Sequence, residues 1–175
     1  MGVVVKEVSR EVEWNSFVEG IPYATVYNRW EWREILDKGF PQLQPHYYSF
    51  EEGGGVVAAL PLFVFRALPG FASSDSLPFT MYGGVLAKEN VLESRELAKS
   101  LGELLREIAQ KAGVFESTIT LPPLMPQQLG KLIEKSELLI CALRDCLSMD
   151  SGGNFLNSDP ALLDLHQLRS RSTIA

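Results

Sequence analysis

The chain of 175 residues is poor in cysteine and histidine, with two of each, and it contains no apolar run of the length needed to cross a bilayer. A membrane-spanning helix requires about 20 consecutive apolar residues. Cys141 and Cys146 lie five residues apart in a predicted strand, and an odd offset places two side chains on opposite faces. This spacing disfavours a disulfide or a shared metal ion, and it is typical of buried thiols in a reducing cytoplasm. We therefore predict no membrane span, no metal site and a cytoplasmic location.

Clusters of basic residues are also missing from most of the sequence. The chain has 16 lysines and arginines against 22 aspartates and glutamates, which gives a formal net charge of −6. Binding to nucleic acid depends on clustered Lys and Arg that neutralise phosphates, so DNA is not expected as a partner. The 46% of hydrophobic residues is ordinary for a globular domain with a core. We assign residues 1–150 to one domain, and residues 151–175 to a linker and a C-terminal helix.

Hydrophobic periodicity and turn residues predict an alternation of strands and helices. The predicted strands cover residues 3–8, 45–50, 56–65, 80–87, 114–121 and 138–149. The predicted helices cover residues 11–18, 30–38, 92–112 and 127–137. Asn28 is expected to cap the second helix, Pro61 to interrupt its strand, and residues 67–76 to form a loop. Hairpins alongside helix-connected strands indicate an α/β fold of the α+β kind, with a mixed, largely antiparallel sheet flanked by helices.

The segment Tyr82-Gly83-Gly84 precedes the longest predicted helix and is the first candidate for a binding site. A tyrosine beside two glycines can present its hydroxyl where a ligand approaches the backbone closely. The alternative is that Tyr82 packs on the helix and the glycines form a bulge. The following turn, residues 87–91, has no glycine and contains Glu89. A loop that binds a pyrophosphate needs backbone N–H groups near the anion, so we expect no acyl-CoA to be bound by this chain alone.

Aromatic and basic residues on the second predicted helix are further candidates. Trp30 and Trp32 are two positions apart, so they cannot both face the core, and the more exposed ring could line a groove for a sugar or peptide. Arg33 and Lys38 could bind an anionic group such as a diphosphate. A solvated, charged helix surface is the alternative explanation for both cations. The two histidines have no recognisable catalytic partners nearby in the sequence, so the catalytic residues stay unassigned.

Several short segments resemble one branch of the GNAT superfamily, the FemAB-like acyltransferases of peptidoglycan bridge formation and related polysaccharide modification. The similar segments, in chain order, are Trp14, residues 27–32 (YNRWEW), residues 58–62 (AALPL), residues 76–79 (SLPF) and residues 82–84 (YGG). From residue 114 onward the resemblance lies in the order of the elements, which is that of a GNAT domain.

This resemblance implies the first of two tandem GNAT-like domains, with the second domain binding the donor, acyl-CoA or aminoacyl-tRNA, and the acceptor in the cleft between them. The chain would then be the acceptor-binding half of an N-acyltransferase or aminoacyltransferase that acts on an amine of a cell-envelope or polysaccharide precursor, inactive alone. Its partners would be that acceptor and a second domain or another copy of the chain. The expected substrate-binding residues are Trp32, Arg33, Lys38, Tyr82, Gly83 and Gly84. A non-catalytic ligand- or partner-binding module is the alternative, and a self-contained acetyl-CoA enzyme is a third possibility.

Overall fold

A mixed sheet of six strands forms the centre of the protein. The computed structural model describes residues 2–68, 71–80 and 83–119, and the six strands lie in this part of the chain. They are β1 (Val4–Glu7), β2 (Leu43–Glu52), β3 (Gly55–Leu68), β4 (Phe71–Asp75), β5 (Leu86–Ala87) and β6 (Val114–Thr118). The order is β1-β2-β3-β4-β6, and β5 pairs with the first part of β3. All pairings are antiparallel except that of β4 with β6, which confirms the predicted mixed, largely antiparallel α/β fold.

Helices cover both faces of this sheet. They are α1 (Glu11–Val18), α2 (Trp30–Gly39) and α3 (Arg95–Ala112). Strand β3 is apolar on both faces because it contributes to two cores. Its residues Ala58, Leu60, Leu62 and Val64 belong to the core under α3, whereas Ala59 and Phe63 belong to the core under α1 and α2. Burial of both faces explains the nearly continuous apolar sequence of this strand.

Helix α3 follows the predicted apolar stripe closely. Leu97, Leu101 and Leu105 are buried against the sheet. The Ser94 hydroxyl accepts a hydrogen bond from the Leu97 N–H at 3.2 Å, and Gly113 ends the helix with a left-handed φ of 66°. The helix begins three residues later than predicted because residues 89–91 form a separate 3-10 turn.

The strand predicted over residues 80–87 is wrong in extent. Of its described residues, only Leu86–Ala87 pair with β3, whereas the strand that follows the central hairpin is Phe71–Asp75, in a segment predicted as a loop. The sequence Phe-Ala-Ser-Ser-Asp is short and polar, so its strand signal is weak. This strand pairs with the C-terminal part of β3 on one side and with β6 on the other, and these pairings stabilise a segment whose own β-propensity is low.

The predicted interruption at Pro61 is wrong for the ladder with β2 and holds for the other edge of β3 alone. The β2–β3 ladder runs through the Tyr47–Pro61 pair, and its irregularity lies between Phe50 and Glu51. On the other edge of β3, β5 pairs with residues 58–59 and β4 with residues from 63 onward. Pro61 lies in the interval between these two described partners, where a missing N–H breaks no ladder hydrogen bond.

The predicted cap of α2 needs a third correction. Arg29, not Asn28, is the N-cap residue, and it makes no side-chain capping bond. The Asn28 side chain instead accepts hydrogen bonds from the backbone N–H and hydroxyl of Thr25, closing a 3-10 turn over Val26–Asn28. Asn28 therefore belongs to the 3-10 turn that begins after Thr25, and it does not cap the helix that follows.

Predictions for the later part of the chain lie outside the described residues. They include the strand over 138–149 with both cysteines, the helix over 127–137, the linker and the C-terminal helix. Among the described helices, none combines the length and the apolar character that crossing a membrane requires.

Candidate functional site

The start of α2 is fixed by two side chains from α1. The Trp14 indole N–H donates to the Asn28 carbonyl at 2.6 Å. Asn15 is 8% exposed, and its Oδ1 accepts the Trp30 backbone N–H at 2.9 Å. This bond replaces the missing local cap, because it satisfies one of the free N–H groups at a helix N-terminus. These two bonds fix the start of α2 against α1, and with it the position of Arg33 in the next turn.

Arg33 lies over an aromatic floor made by α2 and β2. Its guanidinium carbon is 4.4 Å from the centre of the Trp30 ring and 5.8 Å from that of Tyr47. Both rings are buried, and Tyr47 also packs against Trp14 with ring centres 4.3 Å apart. A cation over the face of an aromatic ring is attracted by the ring quadrupole. The floor therefore holds the positive charge of Arg33 at a defined place.

Four buried polar atoms in this region have no hydrogen-bond partner among the described residues. They are Asn28 Nδ2, Trp32 Nε1, Arg33 Nε and the Tyr47 hydroxyl. Burial raises the pKa of Tyr47, and the nearby charge of Arg33 opposes this effect. Each of the four atoms carries a hydrogen that it can donate. A buried donor without an acceptor costs about 1–3 kcal/mol, so the arrangement favours a ligand or water that brings acceptor oxygens.

The tryptophans divide as the helical spacing predicts. Trp30 is 6% exposed, whereas Trp32 is half-buried and meets Tyr27 edge to face with ring centres 5.0 Å apart. Tyr27 is itself exposed. The Tyr27–Trp32 pair is thus a partly exposed aromatic contact, and Trp32 directly precedes Arg33 in the sequence.

Lys38 is not brought together with Arg33. Five positions on a helix correspond to about 140° around its axis. Lys38 is exposed, and its Nζ is 3.0 Å from Glu34 Oε2, four positions earlier. The predicted pair of cations is therefore separated, and Arg33 alone occupies the aromatic floor.

Gly83 of the YGG segment packs against Ser76 and Leu77, which follow β4, and Tyr82 lies outside the described residues. A Cβ atom at Gly83 would be 2.7 Å from Leu77 Cβ and 3.1 Å from the Ser76 hydroxyl oxygen. Gly84 has a left-handed φ of 96°. The backbone here is packed closely against the Ser76–Leu77 loop, which accounts for the glycine at position 83.

A second polar locus lies at the carboxyl ends of β4, in a segment predicted as a loop, and of β6, in a segment predicted as a strand. Here the Ser74 hydroxyl donates to the Ser117 hydroxyl at 2.7 Å. Asp75 follows, with Oδ1 accepting the Leu77 N–H at 3.2 Å. Burial raises the pKa of the Asp75 carboxyl, and hydrogen bonds from the Leu77 and Ser76 N–H groups oppose this. The parallel pairing that creates this locus is invisible in the polar sequence of β4.

No group of three or more histidine, cysteine, aspartate or glutamate side chains is placed to hold a metal ion within the described ranges.

Comparison with known proteins gives a similarity in structure and none in sequence. No protein-family model matches the sequence, and no curated protein matches it at a significant level. Among solved structures, the chain is similar to the crystal structure of an N-acetyltransferase from Staphylococcus aureus Mu50, with 16% sequence identity and a TM-score of 0.45. The match covers 77% of this chain and 82% of that chain. The similarity concerns the overall arrangement, and we take no residue role from it.

Proposed function

We propose that this chain is the acceptor-binding part of a FemAB-like N-acyltransferase or aminoacyltransferase, acting in the cytoplasm on an amine of a cell-envelope or polysaccharide precursor. The observation that carries the proposal is Arg33, held over the Trp30 and Tyr47 rings beside buried donors that lack acceptors. The order of elements from β1 to β6 supports it, because it follows the order expected of a GNAT-like domain.

Arg33 is proposed to bind an anionic group of the acceptor, such as its diphosphate. A guanidinium presents planar, paired N–H groups that suit phosphate oxygens. The ring faces beneath it exclude water from one side, which strengthens its attraction for an anion. Trp32, with Tyr27 against it, would contact the sugar or peptide portion of the same acceptor.

The reaction consists of attack by the neutral acceptor amine on the activated acyl carbon. A C–N bond forms, the bond from the acyl carbon to the thioester sulfur or ribose oxygen breaks, and the proton released by the amine is taken up by that leaving sulfur or oxygen. Holding the two reactants together accounts for most of the rate that such transfers need, since no covalent enzyme intermediate is involved. The donor, acyl-CoA or aminoacyl-tRNA, is proposed to bind a second GNAT-like domain.

Binding of inorganic pyrophosphate by calorimetry tests the role of Arg33. We expect Arg33→Gln to weaken binding at least tenfold, because the charge on the aromatic floor is removed. Arg10→Gln is the matched control, since Arg10 is an exposed cation paired with Glu13 and loses the same charge. Equal affinity of both variants, or no binding by the original chain, would contradict the assignment.

The alternative is a non-catalytic module that uses the same residues around Arg33 for recognition. The two functions can be distinguished by an assay in which the chain is combined with a GNAT-like domain. That domain would be one encoded in the same reading frame or in a neighbouring one. Formation of an amide from labelled donor and amino-sugar acceptor, lost in Arg33→Gln, supports the transferase. Acceptor binding with no amide product under these conditions supports the binding module.

A further inference from the structure

A groove of about 450 Å³ lies on the sheet face opposite α1 and α2, between the sheet and the C-terminal half of α3. This volume is within the range of sites for small molecules. Apolar side chains from β1, β3 and α3 line its floor, namely Val5, Val64, Leu104, Ile108 and Ala112. Val64, Leu104 and Ile108 are already buried for the most part, and the portions of the floor that face the groove can contact the apolar part of a ligand.

Most charged groups at the rim of the groove have a hydrogen-bonded partner there. His46 Nδ1 lies 2.8 Å from Glu7 Oε1, and the Lys111 ammonium is paired with Glu107. A ligand cation would have to displace one of these partners to reach a carboxylate. The rim therefore disfavours an ammonium ligand, and its two carboxylates disfavour an anion of high charge.

Arg66 is the exception. Its guanidinium contacts two neutral acceptors, the Ala112 carbonyl at 3.3 Å and Gln44 Oε1 at 3.4 Å. Both bonds are long, and no carboxylate pairs with this side chain within residues 2–68, 71–80 and 83–119. Two of its five N–H groups are used, so it can still bind a carboxylate in the forked geometry typical of arginine.

Tyr48 supplies a neutral polar group in the same wall. Burial, together with the negative charges of Glu7 and Glu107, raises the pKa of Tyr48 to about 12. Its ring lies nearly parallel to that of His46, with centres 6.3 Å apart. The hydroxyl is therefore uncharged at neutral pH and can donate to an oxygen atom.

We propose that this groove binds a monocarboxylate with an apolar body of the size of a medium-chain fatty acid. The carboxylate pairs with Arg66, and the apolar chain covers Leu104 and Ile108 on the floor. Arg66 has no carboxylate partner among the described residues, and Glu7 and Glu107 repel additional negative charge, so the groove favours a ligand with a single negative charge. The groove lies on the other side of the sheet from Arg33, so this binding is independent of the proposed transferase function.

Methyl NMR spectra of the unaltered chain, titrated with octanoate, give a direct test. We expect saturable shifts of the Val64, Leu104 and Ile108 methyl signals and none at Val18 or Leu36, which lie in the opposite core. Octylammonium should produce no comparable shifts at equal concentration. Absence of shifts with octanoate, equal shifts with both amphiphiles, or shifts spread over both cores would overturn the proposal.

Calorimetry with variants tests the charge and the apolar body separately. Arg66→Gln should weaken octanoate binding about tenfold or more, whereas Arg95→Gln, in the first turn of α3, and Arg33→Gln should leave it unchanged. Hexanoate should bind the unaltered chain several-fold more weakly than octanoate, since each fully buried methylene contributes about a fourfold change in affinity. Equal losses in the three variants, or equal affinity for both acids, would overturn the assignment even if the proposed transferase function holds.

Discussion

The hydroxyl of Tyr23 binds both backbone groups of Ala87. It donates to the Ala87 carbonyl at 3.0 Å and accepts the Ala87 N–H at 2.7 Å. Ala87 is 1% exposed, on the two-residue strand β5 that pairs with β3 at Ala58 and Ala59. A side chain from the segment between α1 and α2 thus takes the place of a neighbouring strand, and it satisfies groups that would otherwise be buried without partners.

Tyr23→Phe should therefore lower the free energy of unfolding by about 1–3 kcal/mol, because it leaves a buried N–H and C=O without a partner. Urea denaturation followed by circular dichroism measures this change. Tyr27→Phe is the control, because that exposed tyrosine keeps its ring contact with Trp32 and should change stability by less than about 0.5 kcal/mol. Equal stability of the two variants would show that Ala87 finds other partners.

Asn15→Ala should destabilise the protein by about 1–3 kcal/mol, since the Trp30 N–H at the start of α2 loses its acceptor. Ser16→Ala, at the exposed neighbouring position, should have little effect. Thermal denaturation of both variants is the measurement. If both melt at the temperature of the original chain, the bond between Asn15 and Trp30 contributes nothing measurable.

Gly83→Ala should destabilise the fold, because the added Cβ would lie 2.7 Å from Leu77 Cβ and the backbone would have to move. Shortening Leu77 to alanine keeps its Cβ atom, so the double variant should not recover the lost stability. Gly39→Ala is the control, since a Cβ there meets nothing within 4 Å. It should be neutral or slightly stabilising, because alanine restricts the unfolded chain. A Gly83→Ala variant as stable as Gly39→Ala would contradict the observed packing.

Alkaline pH should destabilise the protein through Tyr48. Its pKa rises from the ordinary 10 to about 12 on folding, so the folded state keeps the proton to higher pH than the unfolded chain does. The associated stability is complete below pH 10 and is lost as the pH rises through the folded pKa of about 12. Tyr48→Phe should reduce the fall in urea midpoint over this interval. An unchanged pH dependence would assign the fall to other groups, such as Tyr23 and Tyr47.

The sequence was most informative where one local pattern and the tertiary fold agreed. In α3, the apolar stripe and Gly113 correctly predicted the buried face and the end of the helix. The failures share another cause. Strand β4 has a polar sequence and depends on pairing with β3 and β6, and Asn28 bonded to Thr25 in place of α2. Such outcomes depend on partners distant in sequence or on competition between adjacent turns.

The candidate site was predictable in part for the same reason. Helical spacing predicted that Trp30 and Trp32 would differ in exposure, and it marked Arg33 as a cation on that helix. Tyr47 was not foreseen, because only the packing of α2 on β2 brings its ring under Arg33. The groove around Arg66 was missed altogether, since its wall combines residues from three strands and a helix.

Strand β3 has apolar residues on both faces, so burial alone does not exclude a shifted register between β3 and its neighbours. In a strand with one polar face, a slip of one residue places polar groups in the core and is strongly disfavoured. In β3 such a slip would exchange one apolar set for another. The alignment with β2 therefore depends on the turn at Gly53 and Gly54, whose φ values are 60° and 84°. A one-residue insertion in that turn should yield a compact but mispaired chain instead of an unfolded one.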